Sequence, residues 1–389
     1  MFKIMTLNKI AAVGTNNFDH ETYVVAASIE NPDAILVRSA NMLDMELPES
    51  LKAIARAGAG VNNIPIDKCS QKGIVVFNTP GANANAVKEL AIAALLLSSR
   101  NIIGGVNWVR QLSLDSDIGK EVESGKTAFA GPELYGKKLG VLGLGAIGAM
   151  VANIATELGM EVFGNDPYLT VEGAWRLHHN VRRAPNIKTI FENCDYIALH
   201  VPSTSETRGF INEKVLSSMK DGVRIINLSR GDLVNDADMA KALESGKVAC
   251  YLTDFPSAEI MRMKNVIAIP HLGASTPESE DNCAVMAVNE LIDFLENGNI
   301  KNSVNFPDVQ NPKAGDESIC VMHHNIPNIL AQISSAFSAE GINIENLSSR
   351  SKKELAYSVF EITGECPANV VGKLAMIEGI IRVNIIKNR

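Results

Sequence analysis

The chain has 389 residues, of which 46% are hydrophobic and 21% charged, so we expect a soluble globular protein with two or three domains. Its formal net charge of −8 argues against nucleic acid or an anionic membrane as a partner. The six cysteines are scattered, without a Cys-x-x-Cys pair, which predicts free thiols, a reducing compartment and no metal site. Residues 1–4 do not start a signal peptide, and the apolar run 90–97 is too short to span a bilayer. We therefore expect a cytoplasmic protein.

The first part of the chain, residues 1–87, predicts an α/β domain. Apolar strands are expected at 34–37, 51–57 and 74–77, and each runs into a polar or glycine-containing turn. Residues 89–100 follow as one continuous apolar stretch, which predicts a buried helix. Residues 113–137 are polar and contain glycine, and we assign no helix or strand there.

A Gly-x-Gly-x-x-Gly motif at Gly143, Gly145 and Gly148 lies between a predicted strand and a predicted helix. The first glycine permits a tight turn, the second admits a pyrophosphate, and the third allows close packing of the helix on the strand. The unpaired N–H groups of the helix N-terminus then face the phosphates. A second strand, 160–164, leads to Asp166, which follows Gly143 by 23 residues, close to the ~20 typical of a carboxylate that binds ribose hydroxyls. The pattern predicts a dinucleotide-binding site.

Strand-like segments continue to residue 270 and alternate with helical segments, at 196–201, 224–229, 249–253 and 266–269. This alternation is typical of a parallel sheet with helices on both faces, a Rossmann domain. Three polar residues follow the predicted strands: Arg230, Glu259 and His271. Because ligands in such folds bind at the carboxyl ends of the strands, we expect the three to meet in one crevice.

The chemistry of these three residues suits hydride transfer to or from a 2-hydroxy acid. Histidine titrates near neutral pH and can exchange the hydroxyl proton, and a carboxylate behind it fixes its tautomer. Arginine holds a substrate carboxylate in a bidentate fork. Taken singly, each residue is more simply a surface or structural side chain. Together, after a dinucleotide fold, they favour catalysis.

The remaining segments predict a split domain and a third module. The helix 278–297 is expected to return to the first domain, giving a split α/β substrate domain, 1–87 with 278–305, and a Rossmann domain, 88–277, with a cleft between them. Residues 305–317 have the composition of a linker. The order strand, helix, strand, strand, helix, strand over 316–389 predicts a ferredoxin-like βαββαβ sandwich. If it is a separate domain, deleting it should leave a competent catalytic core.

Several motifs together resemble the D-isomer-specific 2-hydroxyacid dehydrogenases, and among them the 3-phosphoglycerate dehydrogenases, over nearly the whole chain. They are Val141 to Gly148 with Asp166-Pro167-Tyr168, Leu199-His200-Val201-Pro202, Asn227-Leu228-Ser229-Arg230-Gly231, and Pro270-His271-Leu272-Gly273-Ala274-Ser275-Thr276. The last motif is characteristic of the phosphoglycerate enzymes.

The resemblance implies NAD as cofactor and a role for each motif residue. Arg230 binds and polarises the substrate, His271 is the acid/base, Glu259 pairs with it, and Asp254 holds the nicotinamide carboxamide. The implied cofactor-binding residues are Gly143, Gly145, Ala146, Ile147, Gly148, Asp166, His200, Val201, Pro202, Ser229, Asp254, His271 and Gly273. The chain departs from the family pattern at one point, which weakens the assignment of Glu259. His271 follows Glu259 by only 12 residues, because the usual intervening segment is trimmed. A solvated loop carboxylate is the alternative.

The resemblance also implies the substrate residues in the first domain. These are Arg38, Ser39, Val61, Asn62 and Asn83, with Lys126 from the second domain. Arg56 and Lys126 are candidate phosphate contacts, and ordinary surface charges are the alternative for both. The implied substrate is 3-phosphoglycerate.

The terminal module resembles an ACT domain, an amino-acid-sensing unit. The resemblance implies L-serine as effector, with His323, Asn325 and Asn343 as its ligands, and a homodimer or homotetramer paired through the modules. The family commonly has glycine where this chain has Asn328, which tolerates a positive φ at some cost. A dimerisation module that senses nothing is the alternative.

The resemblance therefore implies NAD-dependent oxidation of 3-phosphoglycerate to 3-phosphohydroxypyruvate, the first step of L-serine synthesis. One alternative is another D-2-hydroxyacid dehydrogenase, acting on glyoxylate, lactate or 2-hydroxyglutarate. The other is a non-catalytic regulator that senses a dinucleotide.

Overall fold

The computed structural model describes residues 1–388 and divides into two compact units. Unit 1 comprises Met1–Asn83 and the chain from Pro277 onward, and unit 2 comprises Ala84–Thr276. The predicted boundaries between the first two domains lie within a few residues of these. The prediction of a third, separate domain from residue 316 has no counterpart in this division, because that part belongs to unit 1.

The strands form three sheets. They are β1 Phe2–Leu7, β2 Tyr23–Ala26, β3 Ala34–Val37, β4 Ala53–Arg56, β5 Val75–Asn78, β6 Lys138–Leu142, β7 Glu161–Asn165, β8 Arg182–Arg183, β9 Tyr196–Leu199, β10 Val223–Asn227, β11 Val248–Thr253, β12 Val266–Ala268, β13 Glu317–His324, β14 Ile344–Lys352, β15 Leu355–Ile362 and β16 Ile380–Lys387.

The helices cover or connect these sheets. They are α1 Ala12–Thr15, α2 Ile66–Gln71, α3 Ala84–Ser99, α4 Ile102–Val109, α5 Ile118–Gly125, α6 Ala146–Glu157, α7 Val171–Trp175, α8 Ile187–Asn193, α9 Glu213–Ser218, α10 Asp236–Glu244, α11 Pro277–Asn297, α12 Ile329–Ala339 and α13 Ala368–Ala375. Short 3-10 helices occupy Lys126–Phe129, Gly231–Leu233 and Ile260–Arg262.

The N-terminal lobe of unit 1, residues 1–83 with α11, is built on a parallel sheet in the order β2-β1-β3-β4-β5. The strand β3 is buried along its whole length, as expected for a parallel strand covered on both faces. Helix α11 packs on this lobe so closely that a Cβ on Gly14 would lie 2.6 Å from the backbone carbon of Ala284. Helix α11 belongs to the same unit as Met1–Asn83.

Unit 2 contains a seven-stranded parallel sheet in the order β12-β11-β10-β9-β6-β7-β8. Two separate apolar clusters cover its two faces, one including Ile225 and Tyr251 and the other including Val141 and Leu252. The chain therefore forms the doubly wound Rossmann-type domain that the strand pattern predicts. In this order β6 and β9 are central, so the glycine-containing turn lies at the topological switch point.

The segment between α3 and β6 differs from the prediction. Instead of irregular chain it contains α4 and α5, neither of which has a buried residue. The Asn101 side chain caps α4 by accepting a hydrogen bond from the Gly104 N–H at 3.0 Å. Within residues 1–388 no single helix has the length and apolar character to cross a bilayer; α3 and α4 pass that test only together, across a 70° bend.

The C-terminal module, β13 to β16 with α12 and α13, is an antiparallel sheet in the order β14-β15-β13-β16. Its element order is the predicted βαββαβ. One face packs on the two helices through Phe337 and Leu374. The other face shares a core with the N-terminal lobe, because Met322 and Tyr357 lie in the same apolar cluster as Phe294 of α11.

Polar contacts also fasten the module to the lobe. The Tyr357 hydroxyl donates to the carbonyl of Gly298 at 2.7 Å. The guanidinium of Arg382 on β16 donates to the carbonyls of Glu49, at 2.9 Å, and Leu51. The connection 305–316 lacks regular structure, as predicted, but Phe306 within it is fully buried. It is therefore part of the core and not an exposed linker.

Candidate active site

The glycine turn of unit 2 has the geometry that its sequence predicts. Gly143 has φ +86°, and a side chain there would collide with the carbonyl of His200. A side chain on Gly148 would overlap the carbonyl of Gly143, so the missing side chain allows α6 to pack closely on the turn. A Cβ on Gly145 would meet nothing within 4 Å, so the space above the helix N-terminus is open. Ala146 and Ile147, also predicted to bind cofactor, form the first turn of α6.

Asp166 lies directly after β7 and faces the glycine turn. Its Oδ2 accepts a hydrogen bond from the Leu144 N–H at 2.8 Å, and its Oδ1 accepts one from the Tyr168 N–H at 2.9 Å. These bonds fix the carboxylate at the turn where a ribose is predicted to bind. Pro167 and Tyr168 follow and are exposed, so no cation directly succeeds the acid.

His200 lies after β9, beneath the glycine turn. Both ring nitrogens are buried and have no hydrogen-bond partner among residues 1–388. Burial lowers the pKa of His200 to about 4, so its imidazole is neutral at physiological pH. Val201 and Pro202 continue from it along the same edge of the sheet, with Pro202 exposed.

Arg230 follows β10, and its turn is held by hydrogen bonds from Asn227 and Ser229 of the same sequence motif. The Asn227 amide donates to the carbonyl of Arg230 at 2.9 Å and to the hydroxyl of Tyr251 at 3.3 Å. The Ser229 hydroxyl donates to the carbonyl of Leu199 at 2.6 Å, joining this turn to the end of β9. The guanidinium of Arg230 is left exposed. The buried Asn227 is thus a supporting residue, and its position two residues before Ser229 was the available signal.

Asp254 is buried at the end of β11, within electrostatic range of His271 and Arg230. It is 1% exposed, and neither carboxylate oxygen has a hydrogen-bond partner within residues 1–388. Burial raises its pKa, and the nearby charges of His271 and Arg230 oppose that rise. A Cβ on Gly273 would lie 3.4 Å from Asp254 Oδ2, so a larger residue would crowd the carboxylate. A buried carboxylate whose nearby donors are the backbone N–H groups of Gly273 and of Asp254 itself is a candidate ligand-binding position.

His271 follows β12 and contacts Phe255 in a tilted arrangement, with ring centroids 4.8 Å apart and an interplanar angle of 52°. Its side chain is exposed, so a substrate can reach it. Phe255 was not predicted, although it directly follows Asp254 in the sequence.

Glu259 does not meet His271 in this structure. No ion pair joins them among the described residues, and Glu259 lies beside Ala237 and Ala240 of α10 in a surface depression. The physical reason is the short connection to β12, since Glu259 immediately precedes a 3-10 helix at Ile260–Arg262. Pairing of Glu259 with His271 stays a prediction that this conformation does not realise, and Asp254 is the carboxylate that faces the histidine.

In unit 1, the predicted substrate loop lies at the carboxyl ends of β3 and β4. Arg56 Nε donates to the carbonyl of Arg38 at 3.0 Å, so the two arginines are neighbours. The side-chain oxygen of Asn8 accepts from the N–H groups of Ser39, at 3.0 Å, and Ala40, at 2.6 Å. Asn8, with φ +78°, was missed by the sequence analysis, and its place at the end of β1 was the only signal.

A second loop follows β4 and carries Val61 and Asn62. Asn62 is exposed, and the neighbouring Asn63 anchors the loop by donating to the carbonyl of Ala40 at 2.8 Å. Asn83 is half-buried at the last position of unit 1. Lys126, in unit 2, forms an ion pair with Glu123 and has a 60% exposed side chain. Its predicted phosphate contact stays a prediction.

The predicted effector residues are not brought together within one chain. His323 and Asn325 line a cavity of about 300 Å³ with Asn328. Asn343 lies outside it and donates to Glu345 at 2.6 Å. The His323 ring nitrogens are already engaged, with the Ser358 hydroxyl and the His324 carbonyl, each at 2.8 Å. Asn343 of the same chain therefore does not complete this cavity.

Known proteins resemble this chain in sequence and in fold. The family model for the D-isomer specific 2-hydroxyacid dehydrogenase, NAD binding domain, matches residues 92–273. A hydroxypyruvate reductase of Thermotoga maritima is 38% identical over 284 residues, which cover 69% of this chain and 86% of that protein. The chain belongs to the D-isomer-specific 2-hydroxyacid dehydrogenase family.

Other relatives narrow the family. A D-3-phosphoglycerate dehydrogenase of Haemophilus influenzae is 28% identical over 98% of this chain and 94% of its own length. The D-3-phosphoglycerate dehydrogenases of Bacillus subtilis and Archaeoglobus fulgidus are 37% and 34% identical, and the chain spans about half their length, 52% in each case. The solved NAD⁺-bound 3-phosphoglycerate dehydrogenase of Entamoeba histolytica is 26% identical with a TM-score of 0.59, covering 78% of this chain and 98% of that one.

The cofactor of this 2-hydroxyacid dehydrogenase is NAD, since the matched domain is the family's NAD-binding domain. The residues of unit 2 fit that cofactor. The open space at Gly145 admits a pyrophosphate, and Asp166 offers a carboxylate at the ribose position. The unpaired oxygens of Asp254 suit the carboxamide N–H₂ of a nicotinamide.

Proposed function

We propose that this dehydrogenase oxidises 3-phosphoglycerate at C2 to 3-phosphohydroxypyruvate with NAD, the first step of L-serine synthesis. The observation that carries the proposal is the buried Asp254, whose carboxylate oxygens have no hydrogen-bond partner within residues 1–388 and interact electrostatically with the nearby charges of His271 and Arg230. The relative of Haemophilus influenzae, named for this activity, supports the choice of substrate because its match extends through the C-terminal module.

Each residue of unit 2 has a defined task in this reaction. The exposed imidazole of His271 accepts the proton of the C2 hydroxyl as the C2–H bond breaks. Bound NAD supplies the acceptor for the hydride. Arg230 holds the substrate carboxylate and stabilises negative charge on the C2 oxygen. Asp254 favours the imidazolium that forms on His271, because an opposite charge nearby stabilises the protonated ring.

The proposed contacts of the substrate phosphate are two arginines of unit 1. Arg38 and Arg56 lie together at the ends of adjacent strands, where guanidinium groups can hold a phosphate in bidentate contacts. Lys126 is proposed as a further phosphate contact, and substitution of Lys126 tests this role.

The alternative substrate is an unphosphorylated 2-oxo acid. The relative of Thermotoga maritima that is named hydroxypyruvate reductase supports this alternative. A reductase of hydroxypyruvate needs no phosphate subsite. The paired arginines of unit 1 and the C-terminal module favour the phosphorylated substrate.

A substrate panel tests the proposal. We expect kcat/KM for 3-phosphoglycerate to exceed that for glycerate by about 10-fold or more, because each charge-assisted hydrogen bond contributes ~1.5–3 kcal/mol. NAD should be preferred to NADP, since Asp166 repels a 2′-phosphate. Equal efficiency with glycerate, or faster reduction of hydroxypyruvate than of phosphohydroxypyruvate, would reject the proposed substrate.

We also propose L-serine as an effector and a homodimer or homotetramer as the assembly. The support is the division of His323 and Asn325 from Asn343 within one chain, which a second module would complete. Asn328 adopts φ +65°, the left-handed conformation expected where relatives have glycine, so the loop keeps its form. Serine titration of wild type and Asn343→Ala, with mass measurement in solution, tests both; unchanged inhibition in the variant would reject the effector site. The six free cysteines suit the cytoplasm as the setting.

A further inference from the structure

An acidic residue, Glu280, forms an ion pair with Arg38, which is proposed to bind the substrate phosphate. Glu280 Oε1 lies 2.5 Å from Arg38 Nη2, and both side chains are 42% exposed. Glu280 belongs to the first turn of α11, whereas Arg38 follows β3. The ion pair therefore joins two separate elements of unit 1 at the substrate loop.

The ion pair between Glu280 and Arg38 reduces the positive charge that is available to a phosphate. Glu280 neutralises the positive charge that Arg38 would offer to an anion. A phosphate monoester carries about −1.5 to −2 near neutral pH, so it binds Arg38 better when that charge is not already neutralised. An anion that binds Arg38 must displace the Glu280 carboxylate or share the guanidinium with it.

Glu280 is able to give way. Ion pairs between exposed side chains are weak, so a phosphate with bidentate geometry can replace the carboxylate. Once released, the carboxylate remains in the first turn of α11, where the helix dipole favours a negative charge. The pair is thus reversible and needs no change in the backbone.

We propose that Glu280 is an intramolecular competitor for Arg38 that sets the affinity of the phosphate subsite. It weakens the binding of phosphorylated ligands and inorganic phosphate, and leaves ligands that do not use Arg38 unaffected. The inference rests on the proposed function for the identity of the substrate, but not for the binding of inorganic phosphate.

The test compares Glu280→Gln with Glu278→Gln in the full-length enzyme with NAD. Glu278 lies in the same turn, is exposed, and has no ion pair within the described residues, so the control removes the same charge nearby. For Glu280→Gln we expect the inhibition constant of inorganic phosphate and the KM for 3-phosphoglycerate to fall about two- to five-fold, the range expected from an exposed ion pair. The KM values for NAD and for unphosphorylated hydroxypyruvate should not change, nor should those of the control.

Two further measurements make the result decisive. In an Arg38→Gln background the effect of Glu280→Gln should vanish, because no guanidinium remains to be released. Equal shifts in the two glutamate variants, or none in either, would overturn the proposal. Phosphate binding followed by ³¹P NMR without turnover separates the two hypotheses: a response to Glu280→Gln in an enzyme that ignores 3-phosphoglycerate rejects the proposed function and keeps the subsite.

Discussion

His271 illustrates how much of the proposed chemistry depends on a single side chain. Its ring contacts Phe255, and its charge acts on the buried Asp254. We expect His271→Ala to lower kcat by about 10²–10⁴-fold, the usual contribution of general acid–base catalysis. NAD binding, measured by fluorescence titration, should change little because the cofactor is held elsewhere. Turnover within a few-fold of wild type would remove His271 from the mechanism.

Glu290 on α11 makes a second prediction at this scale, which concerns stability. It is 8% exposed, its Oε1 accepts from the Asn302 amide at 2.8 Å, and burial raises its pKa to about 8. Between pH 4.5 and about 8 the folded protein therefore keeps a proton that the unfolded chain has lost. Its contribution to stability is complete below pH 4.5 and is lost as the pH rises through about 8, at up to ~1.4 kcal/mol per pH unit.

Glu290→Gln should remove this dependence, because glutamine keeps the hydrogen bond from Asn302 and does not ionise. Urea unfolding at pH 5, 7 and 9 measures it. The variant should gain on the wild type as the pH rises, and parallel stability profiles would contradict the assignment.

The residues of the site were predictable to the extent that they follow strand ends in short motifs. Gly143, Gly148 and Asp166 have the turn, packing and contact expected of them, because backbone geometry leaves few alternatives there. Glu259 was not predictable, since its position depends on the length of a loop that here ends in a 3-10 helix. Asn8 acts through a positive-φ backbone and two N–H contacts, which leave no pattern in the sequence.

At the scale of elements, the strand–turn–helix unit β6–α6 offers a matched pair of substitutions. Gly148→Ala puts a methyl group into the carbonyl of Gly143, so it should destabilise the fold by about 1–3 kcal/mol or more and weaken NAD binding. Gly145→Ala meets open space at φ −67°, so it should leave the melting temperature unchanged and lower NAD affinity alone. Calorimetry and NAD titration measure both. A loss of stability in Gly145→Ala would show that this glycine is structural.

Most elements followed from periodicity, but α4 and α5 did not. The sequence of α4 is apolar on all sides, Ile102-Ile103-Gly104-Gly105-Val106, and two glycines argue against a helix. Its helical state depends on the Asn101 cap and on contact between Trp108 and Phe129, whose ring centroids lie 5.3 Å apart. A contact across twenty residues of polar chain is not visible in a local pattern.

At the scale of unit 1 as a body, the C-terminal module shares a core with the lobe. Deleting residues 316–389 would uncover Phe294, Phe306 and their neighbours, so we expect aggregation or a strongly lowered melting temperature. This corrects the expectation of an independent catalytic core. Soluble, fully active truncated enzyme would show that the shared core is not required.

Arg382→Ala probes the same contact more gently. It removes hydrogen bonds to the carbonyls of Glu49 and Leu51, and should cost about 1–3 kcal/mol in the free energy of unfolding. Arg350→Ala, on an exposed stretch of β14, is the control and should cost little. Equal effects of the two would reject a special role for the Arg382 contact.

One feature of the sequence indicates that the C-terminal module packs on another part of the chain. In β13, residues Ile319 to Met322 are continuously apolar, and the strand is buried on both faces up to His323. A module with one solvated face would alternate apolar and polar residues. The continuous run therefore indicates a second covering layer, although not which part of the chain provides it.

Arg382 of β16 binds the segment that leads into β4, and β4 ends in Arg56, beside Arg38. The four residues of β4 span only about 13 Å of extended backbone and are hydrogen-bonded to β3 and β5. We therefore expect a displacement of β16 to reach Arg38 and Arg56 through this one short strand, and to change the affinity of those arginines for an anion.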